Sequence, residues 1–127
     1  MAQVSPWIAI VDDDPAVLKA LSRLLRSRSF RVHTYGSGPE FLASLPNGIP
    51  GCLIVDLQMP NISGLELQQH LVRNGIHIPT IIITGQPDAG LHEQEDAGLV
   101  AFLLKPLQDG ALLASIEKAI GARRDGR

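Results

Sequence analysis

Five short apolar runs are spaced along the chain and are separated by amphipathic or polar segments. They are rich in β-branched and aliphatic residues and are bounded by glycine, proline or charged residues, which is typical of strands in a buried sheet. The runs cover residues 7–11, 30–35, 52–56, 79–84 and 99–104. The run at 30–35 alternates apolar and polar positions, so we expect it at an edge of the sheet with its polar side chains facing solvent.

The segments between these runs carry the signals of helices. Asp14 followed by Pro15 has the pattern of a helix cap with proline in the first position, and leucine and valine residues then recur at the helical period. Residues 37–40 and 63–66 have the spacing of capping boxes, which predict helices that reach about residues 45 and 73. A final apolar stripe at positions 112, 113, 116, 119 and 120 predicts the last helix.

Two segments carry weaker signals. Residues 88–97 are polar apart from Leu91, so a helix there is expected to be short or mobile. Residues 121–127 are charged and bounded by glycine, and we expect them to fray as a tail or as the start of an interdomain linker. The domain itself is expected to cover residues 1–120.

Alternation of strands and helices predicts an α/β fold with a parallel sheet covered on both faces. The number of elements favours a three-layer, flavodoxin-like (βα)5 doubly wound sheet with the strand order 2-1-3-4-5. In that order the direction in which successive strands are added to the sheet reverses between strands 1 and 3. The carboxyl ends of these two strands are therefore the expected location of the chemistry.

Composition excludes several classes of protein. The 127 residues suffice for one domain, and a net charge of −2 gives no electrostatic footprint for nucleic acid. No apolar run approaches the roughly 20 residues of a transmembrane helix and no signal peptide is evident, so we expect a cytoplasmic protein without membrane contact. The single Cys52 excludes an intrachain disulfide and is expected to be buried in its strand.

Five chemically active residues stand at the carboxyl ends of four predicted strands. Asp12 and Asp13 follow the first strand, Asp56 ends the third, Thr84 ends the fourth and Lys105 follows the fifth. Two carboxylates about 5 Å apart repel each other by roughly 3 kcal/mol at an effective dielectric constant near 20, so a cation must join them. An all-oxygen ligand set suits Mg²⁺ or Mn²⁺, and a hydroxyl, an ammonium and a divalent cation together suit a phosphoryl group.

These strand ends resemble the response-regulator receiver domain of two-component signalling, especially receivers of the FixJ type and other CheY-like domains. The resemblance covers residue 7 to about residue 120. It is carried by Asp12-Asp13, by Asp56 with Met59-Pro60 and Ser63-Gly64, by Thr84-Gly85, and by Phe102 with Lys105-Pro106.

The resemblance implies a role for each of these positions. Asp56 would accept a phosphoryl group from a sensor histidine kinase or a phosphotransfer protein, and Thr84 and Lys105 would contact the phosphoryl oxygens. Asp13, Asp56 and the Gln58 backbone carbonyl would ligate Mg²⁺, with Asp12 acting through water. Phe102 would be the switch aromatic, and the bond before Pro106 would be cis. The domain would signal rather than act as an enzyme, although it would assist its own phosphorylation and dephosphorylation.

Two other interpretations remain open at this point. Asp12 and Asp14 faintly resemble the nucleophile and the acid/base of haloacid-dehalogenase phosphatases, although Ala16 and Pro15 do not fit that motif. A receiver without phosphorylation chemistry, used for protein contacts alone, is the other possibility, and the complete set of acidic residues, threonine and lysine speaks against it. The segment between Thr84 and Phe102 is about one residue short for the FixJ type. The expected phosphorylation-dependent homodimer therefore rests on the resemblance alone. The charged tail favours an output domain on a longer chain, and the alternative is a receiver that works alone through a partner that reads its surface.

Overall fold

A single parallel sheet of five strands organises the domain. The computed structural model describes residues 6–85 and 99–125. The strands lie in the order β2-β1-β3-β4-β5, and every neighbouring pair is parallel. They are β1 (Trp7–Val11), β2 (Arg31–Tyr35), β3 (Cys52–Asp56), β4 (Thr80–Thr84) and β5 (Leu99–Leu104). The predicted strand order and fold class are confirmed.

Four helices cover the described part of the sheet. They are α1 (Pro15–Ser27), α2 (Gly38–Ser44), α3 (Gly64–Arg73) and α4 (Asp109–Asp125), with a short 3-10 turn at Leu45–Asn47. The helix expected at residues 88–97 lies outside the described residues. None of the described helices is both long enough and apolar enough to span a bilayer.

Apolar side chains form one cluster on each face of the sheet. On one face, Leu21 and Leu25 of α1 and Leu112 and Ile116 of α4 pack on the strands. On the other face, Phe41 of α2 and side chains from α3 pack on the same strands. Because both faces are covered, all five residues of β3 are buried, Cys52 among them. The strand that carries Asp56 is therefore enclosed along its whole length, as is its neighbour β4.

The edge strand β2 departs from the predicted alternation. Val32 is buried, but Thr34, which was expected to share its environment, is exposed. Tyr35 is half-buried because α2 covers that face, and its ring meets the ring of Phe41 edge-on at 5.4 Å between centroids. Three of the five β2 side chains are exposed, as expected at an edge of the sheet, but burial at its carboxyl end follows the covering helix rather than the alternation of residue types.

Side-chain caps fix the starts of the helices. Asp14 Oδ1 accepts a hydrogen bond from the Ala16 amide at 2.9 Å, which confirms the predicted start of α1. Ser63 and Glu66 form the predicted reciprocal capping box at α3.

The box predicted at residues 37–40 is only half formed. Ser37 Oγ accepts from the Glu40 amide at 3.2 Å, but Glu40 Oε1 accepts from the Gly36 amide at 2.7 Å rather than from Ser37. The chain enters α2 fully extended, with φ −160° and ψ 161° at Ser37, whereas φ at Ser63 is −75°. The different entry angle brings a different amide to the glutamate.

The last helix is longer than the sequence indicated. α4 continues through Gly121 to Asp125, although fraying was expected from residue 121. The predicted stripe is confirmed, because Leu112, Ile116, Ala119 and Ile120 are all buried. Once tertiary packing has fixed these turns, each further residue adds a hydrogen bond at little cost, so one glycine does not end the helix.

Candidate functional site

Three elements of the sheet deliver the charged residues of the site to its carboxyl edge. Asp12 follows β1 and Asp56 ends β3, and these strands are direct neighbours at the point where the strand order reverses. The Asp12 amide donates to the Tyr35 carbonyl at 3.1 Å, and the Lys105 amide donates to the Thr84 carbonyl at 2.8 Å. These backbone bonds extend the ladder by one residue beyond β1 and β5, which aims the side chains of Asp12 and Lys105 at Asp56.

The side chains meet as the sequence predicted. One carboxylate oxygen from each of Asp12, Asp13 and Asp56 lies within 4.8 Å of the other two. Lys105 Nζ lies 3.4 Å from Asp12 Oδ2 and 3.4 Å from Asp56 Oδ1. Asp12 is fully buried and Asp56 nearly so, whereas Asp13 is exposed. Thr84 is buried at the end of β4, the neighbour of β3.

Burial and mutual repulsion make the two inner acids hard to ionise. Burial raises the pKa of Asp12, and the Asp14 amide and the Lys105 ammonium offset only part of this effect. Burial also raises the pKa of Asp56, and the negative charge of Asp12 adds to the increase. Burial opposes the charge on Lys105, but Asp12 and Asp56 outweigh this effect, so the pKa of Lys105 is raised.

This donor set fits a hard divalent cation. Three carboxylates face one ammonium group, so the cluster holds two uncompensated negative charges when all three acids are ionised. The donors are all oxygen, and the exposed Asp13 leaves room for water molecules, which Mg²⁺ and Mn²⁺ retain when they bind proteins. Asp12, Asp13 and Asp56 are therefore residues that could hold Mg²⁺.

The loop after β3 contains two features that the sequence did not single out. The Ile62 amide donates to the Pro60 carbonyl at 2.8 Å across Asn61, whose φ is 75°, so the chain makes a tight γ-turn next to the site. A Cβ atom on Gly64 would lie 2.5 Å from the Asp56 carbonyl oxygen, so only glycine fits at the start of α3. The Ser63-Gly64 pair was part of the predicted helix start and of the resemblance, but neither indicated that Gly64 packs against the backbone of Asp56.

The remaining predicted residues surround this centre. Gln58 is exposed two positions after Asp56, and Phe102 is half-buried on β5, where it packs on the cluster that contains Phe41. The Lys105–Pro106 bond is cis, as the resemblance implied. Asp14 points its carboxylate at the α1 amides, so it is a helix cap and is not aimed at a substrate. This position removes the acid/base that the phosphatase interpretation required.

Comparison with known proteins places this arrangement in a family. The sequence model of the response regulator receiver domain matches residues 8–117. The chain belongs to the receiver-domain family. Two-component systems use this domain as the receiving module of their response regulators, so the chain is a signalling domain. The receiver resembles the crystal structure of FixJ-N with a TM-score of 0.84 and 38% identity, over 94% of this chain and 96% of that one.

Curated relatives are regulators of greater length. The receiver is 42% identical to the response regulator protein TmoT of Ectopseudomonas mendocina over 89% of this chain and 52% of that protein. It is 40% identical to the transcriptional regulatory protein FixJ of Rhizobium meliloti over 88% of this chain and 55% of that protein. The chain thus spans about half the length of the curated relatives it matches.

Proposed function

We propose that Asp56 is the residue of this receiver that accepts a phosphoryl group. The observation that supports Asp56 over Asp12 is that the two buried carboxylates differ in their hydrogen bonds and in their exposure. Asp12 accepts from the Asp14 amide through Oδ1 at 2.9 Å and faces Lys105 through Oδ2, and it is fully buried. The Asp56 side chain keeps 9% of its exposure, so a phosphoryl donor can reach it from the edge of the sheet.

In the proposed transfer, a carboxylate oxygen of Asp56 forms the new bond to phosphorus as the bond from phosphorus to the donor breaks. The donor would be a phosphohistidine of a sensor histidine kinase or a phosphotransfer protein, and the released imidazole takes up a proton. Lys105, already 3.4 Å from Asp56 Oδ1, would balance the charge on the phosphoryl oxygens, and Thr84 would donate its hydroxyl to one of them.

A bound Mg²⁺ would neutralise charge on the acids and on the transferring group. Asp13, Asp56 and the Gln58 carbonyl would hold it directly, and Asp12 would do so through water. The same groups would assist water in hydrolysing the acyl phosphate. Until it is hydrolysed, Thr84 and Phe102 would relay the phosphorylated state to the surface.

The relatives suggest the setting in which this receiver works. They are longer than this chain and FixJ is named as a transcriptional regulatory protein, so an output domain that regulates transcription would follow the receiver in a longer protein. Residues 121–127 would then lead into a linker, although the helix continues to Asp125. A cytoplasmic location and a phosphorylation-dependent homodimer complete the proposal.

The proposal is tested by incubating the full chain with phosphoramidate and measuring the intact mass. We expect one phosphoryl group per chain in the presence of Mg²⁺ and none in the presence of a chelator. Asp56→Asn should abolish the adduct. Asp14→Asn, which makes the same chemical change at an exposed cap, should leave it unchanged. Phosphorylation of Asp56→Asn at the level of the parent protein would refute the assignment.

A further inference from the structure

The segment that leads from α1 to α2 is positively charged and contains no acidic residue. Residues 15–39 carry one lysine and four arginines, and all 13 aspartate and glutamate residues of the chain lie elsewhere. The chain as a whole has a net charge of −2. The arginines are at positions 23, 26, 28 and 31, and all four are exposed. Within the part of the chain that the structure describes, none of them forms an ion pair with a carboxylate.

Two of these arginines line a groove beside the outer strand β2. The groove has a volume of about 370 Å³ and is lined by Arg26, Phe30, Arg31, Val32 and His33. Arg26 Nη2 donates to the Val32 carbonyl at 2.9 Å, which fixes the guanidinium against the strand. A guanidinium has five N–H donors, so Arg26 retains donors for an anionic ligand.

Among residues 6–85 and 99–125, no strand pairs with the outer edge of β2 along this groove. β2 has β1 on one side and is the outermost strand of the sheet. The Tyr35 carbonyl accepts from Asp12 and so faces β1, whereas the Val32 carbonyl accepts from Arg26 and faces the open side. Because backbone groups face alternate sides along a strand, the amides of Val32 and Thr34 point outward, where another strand could pair with them.

Local contacts hold both ends of this groove in place. The His33 ring meets the Trp7 ring edge-on, with centroids 4.9 Å apart. At the other end, Ser29 adopts a positive φ of 72° and the Phe30 amide donates to the Leu25 carbonyl at 3.1 Å, which closes the turn between α1 and β2. A site held in this way loses little conformational freedom when a ligand binds.

We propose that this groove binds an extended, acidic segment of a partner protein. The segment would pair with the outward-facing amides of β2 as an additional strand, and its carboxylates would bind Arg26 and Arg31. An apolar side chain of the segment would rest on Phe30. The groove lies towards the amino ends of the strands, and Asp56 lies at the carboxyl ends, so both sites can be occupied at once.

Charge and shape favour a peptide over a nucleic acid. The groove offers two guanidinium groups along a single strand, whereas nucleic-acid binding draws on a broad footprint of phosphate contacts. The open amides of β2 are donors for a peptide carbonyl, and their spacing along the strand matches that of another strand.

The experiment is an NMR titration of the full ¹⁵N-labelled chain with a short peptide of alternating glutamate and valine. We expect salt-dependent shifts of the Val32 and Thr34 amides. Arg31→Glu should weaken binding by more than about tenfold, because it replaces a charge-assisted hydrogen bond by repulsion. Arg73→Glu makes the same change at an exposed position at the end of α3 and should bind the peptide like the parent protein.

Two further probes separate strand pairing from simple attraction of charge. The same peptide built from D-residues has equal charge but the wrong hand for the groove, and a version with glutamine in place of glutamate has the right shape without the charge. We expect both to bind at least about tenfold more weakly. Equal binding of the D-peptide, unchanged binding to Arg31→Glu with a native amide spectrum, or tighter binding of a DNA duplex at the same residues would overturn the proposal.

Discussion

The substitution Asp56→Asn is expected to stabilise the receiver when no divalent cation is bound. It removes one negative charge from a buried cluster and leaves the shape of the side chain almost unchanged. Lys105 does not lose its only partner, because Asp12 Oδ2 also lies 3.4 Å from its Nζ. The usual penalty for breaking a buried ion pair, an uncompensated charge, therefore does not arise.

The size of the effect follows from the distances. At an effective dielectric constant of about 20, attraction to Lys105 across 3.4 Å is worth about 5 kcal/mol to an ionised Asp56. Repulsion from Asp12 at a separation of up to 4.8 Å costs about 3–4 kcal/mol, and the exposed, screened Asp13 adds about 1 kcal/mol. Attraction and repulsion nearly cancel, so the cost of burying the charge remains. We expect Asp56→Asn to raise the free energy of unfolding by about 1–2 kcal/mol.

The dependence on pH gives the same prediction a second readout. The pKa of Asp56 is raised above its ordinary value of 3.8 in the folded protein, so the unfolded chain loses this proton first as the pH rises. The stability of the parent protein should therefore be greatest below pH 3.8, as far as this residue is concerned, and should decline as the pH rises through the raised pKa. Asparagine does not titrate, so the stability of Asp56→Asn should not show this decline. The difference in free energy of unfolding between Asp56→Asn and the parent protein should therefore grow as the pH rises from 3.8 through the raised pKa.

The assay is urea unfolding followed by circular dichroism, with a chelator present. Asp14→Asn is the matched control, because it removes one carboxylate from an exposed cap that asparagine fills equally well. A lower stability of Asp56→Asn than of the parent protein, or an equal gain in Asp14→Asn, would show that the site is not electrostatically strained.

Three further predictions follow from the same structure. Lys105→Ala should lower the free energy of unfolding without metal by about 2–3 kcal/mol, because Asp12 and Asp56 lose their shared cation. Mg²⁺ should still bind to this variant in calorimetry and should restore part of the lost stability. Phosphorylation of the variant should largely fail. Mg²⁺ affinity measured by calorimetry should fall as the pH is lowered through the raised pKa values of Asp12 and Asp56, since protons compete for the same oxygens; an affinity independent of pH would contradict this. Ser29 and Gly75 each follow a helix with a positive φ, 72° and 77°, which strains a residue other than glycine. Ser29→Gly should therefore stabilise the fold and Gly75→Ser should destabilise it, each by about 1 kcal/mol in urea unfolding. Equal stabilities of both variants and the parent would show that the positive φ causes no strain.

The sequence predicted the strand ends well because each apolar run ends at, or just before, a charged residue or a glycine. Asp12, Asp56 and Lys105 could be placed at one edge from strand order alone, and the structure brings them within 4.8 Å or less of their neighbours. Features that depend on the angle between elements could not be predicted. The Glu40 carboxylate accepts from the Gly36 amide because of the angle at which the chain enters α2. The spacing of residues in the sequence does not determine that angle.

Other differences reflect weak or misleading local signals. Ser29 occupies a left-handed position at the end of α1 where glycine or asparagine is the usual sign, so the turn had no marker in the sequence. Gly121 looked like the end of α4, but the buried stripe before it holds the helix to Asp125. The groove at β2 could not be predicted, because the sequence positions of single arginines do not indicate which strand edge their side chains lie beside.

The identity of the phosphorylated residue is the central claim, and reductive mapping tests it most directly. The chain is phosphorylated with phosphoramidate and Mg²⁺, then treated with borohydride, which converts an aspartyl phosphate to homoserine, and the modified residue is located by peptide sequencing in a mass spectrometer. We predict homoserine at position 56 and at no other aspartate. Homoserine at position 12 or 13 in place of position 56 would contradict the account.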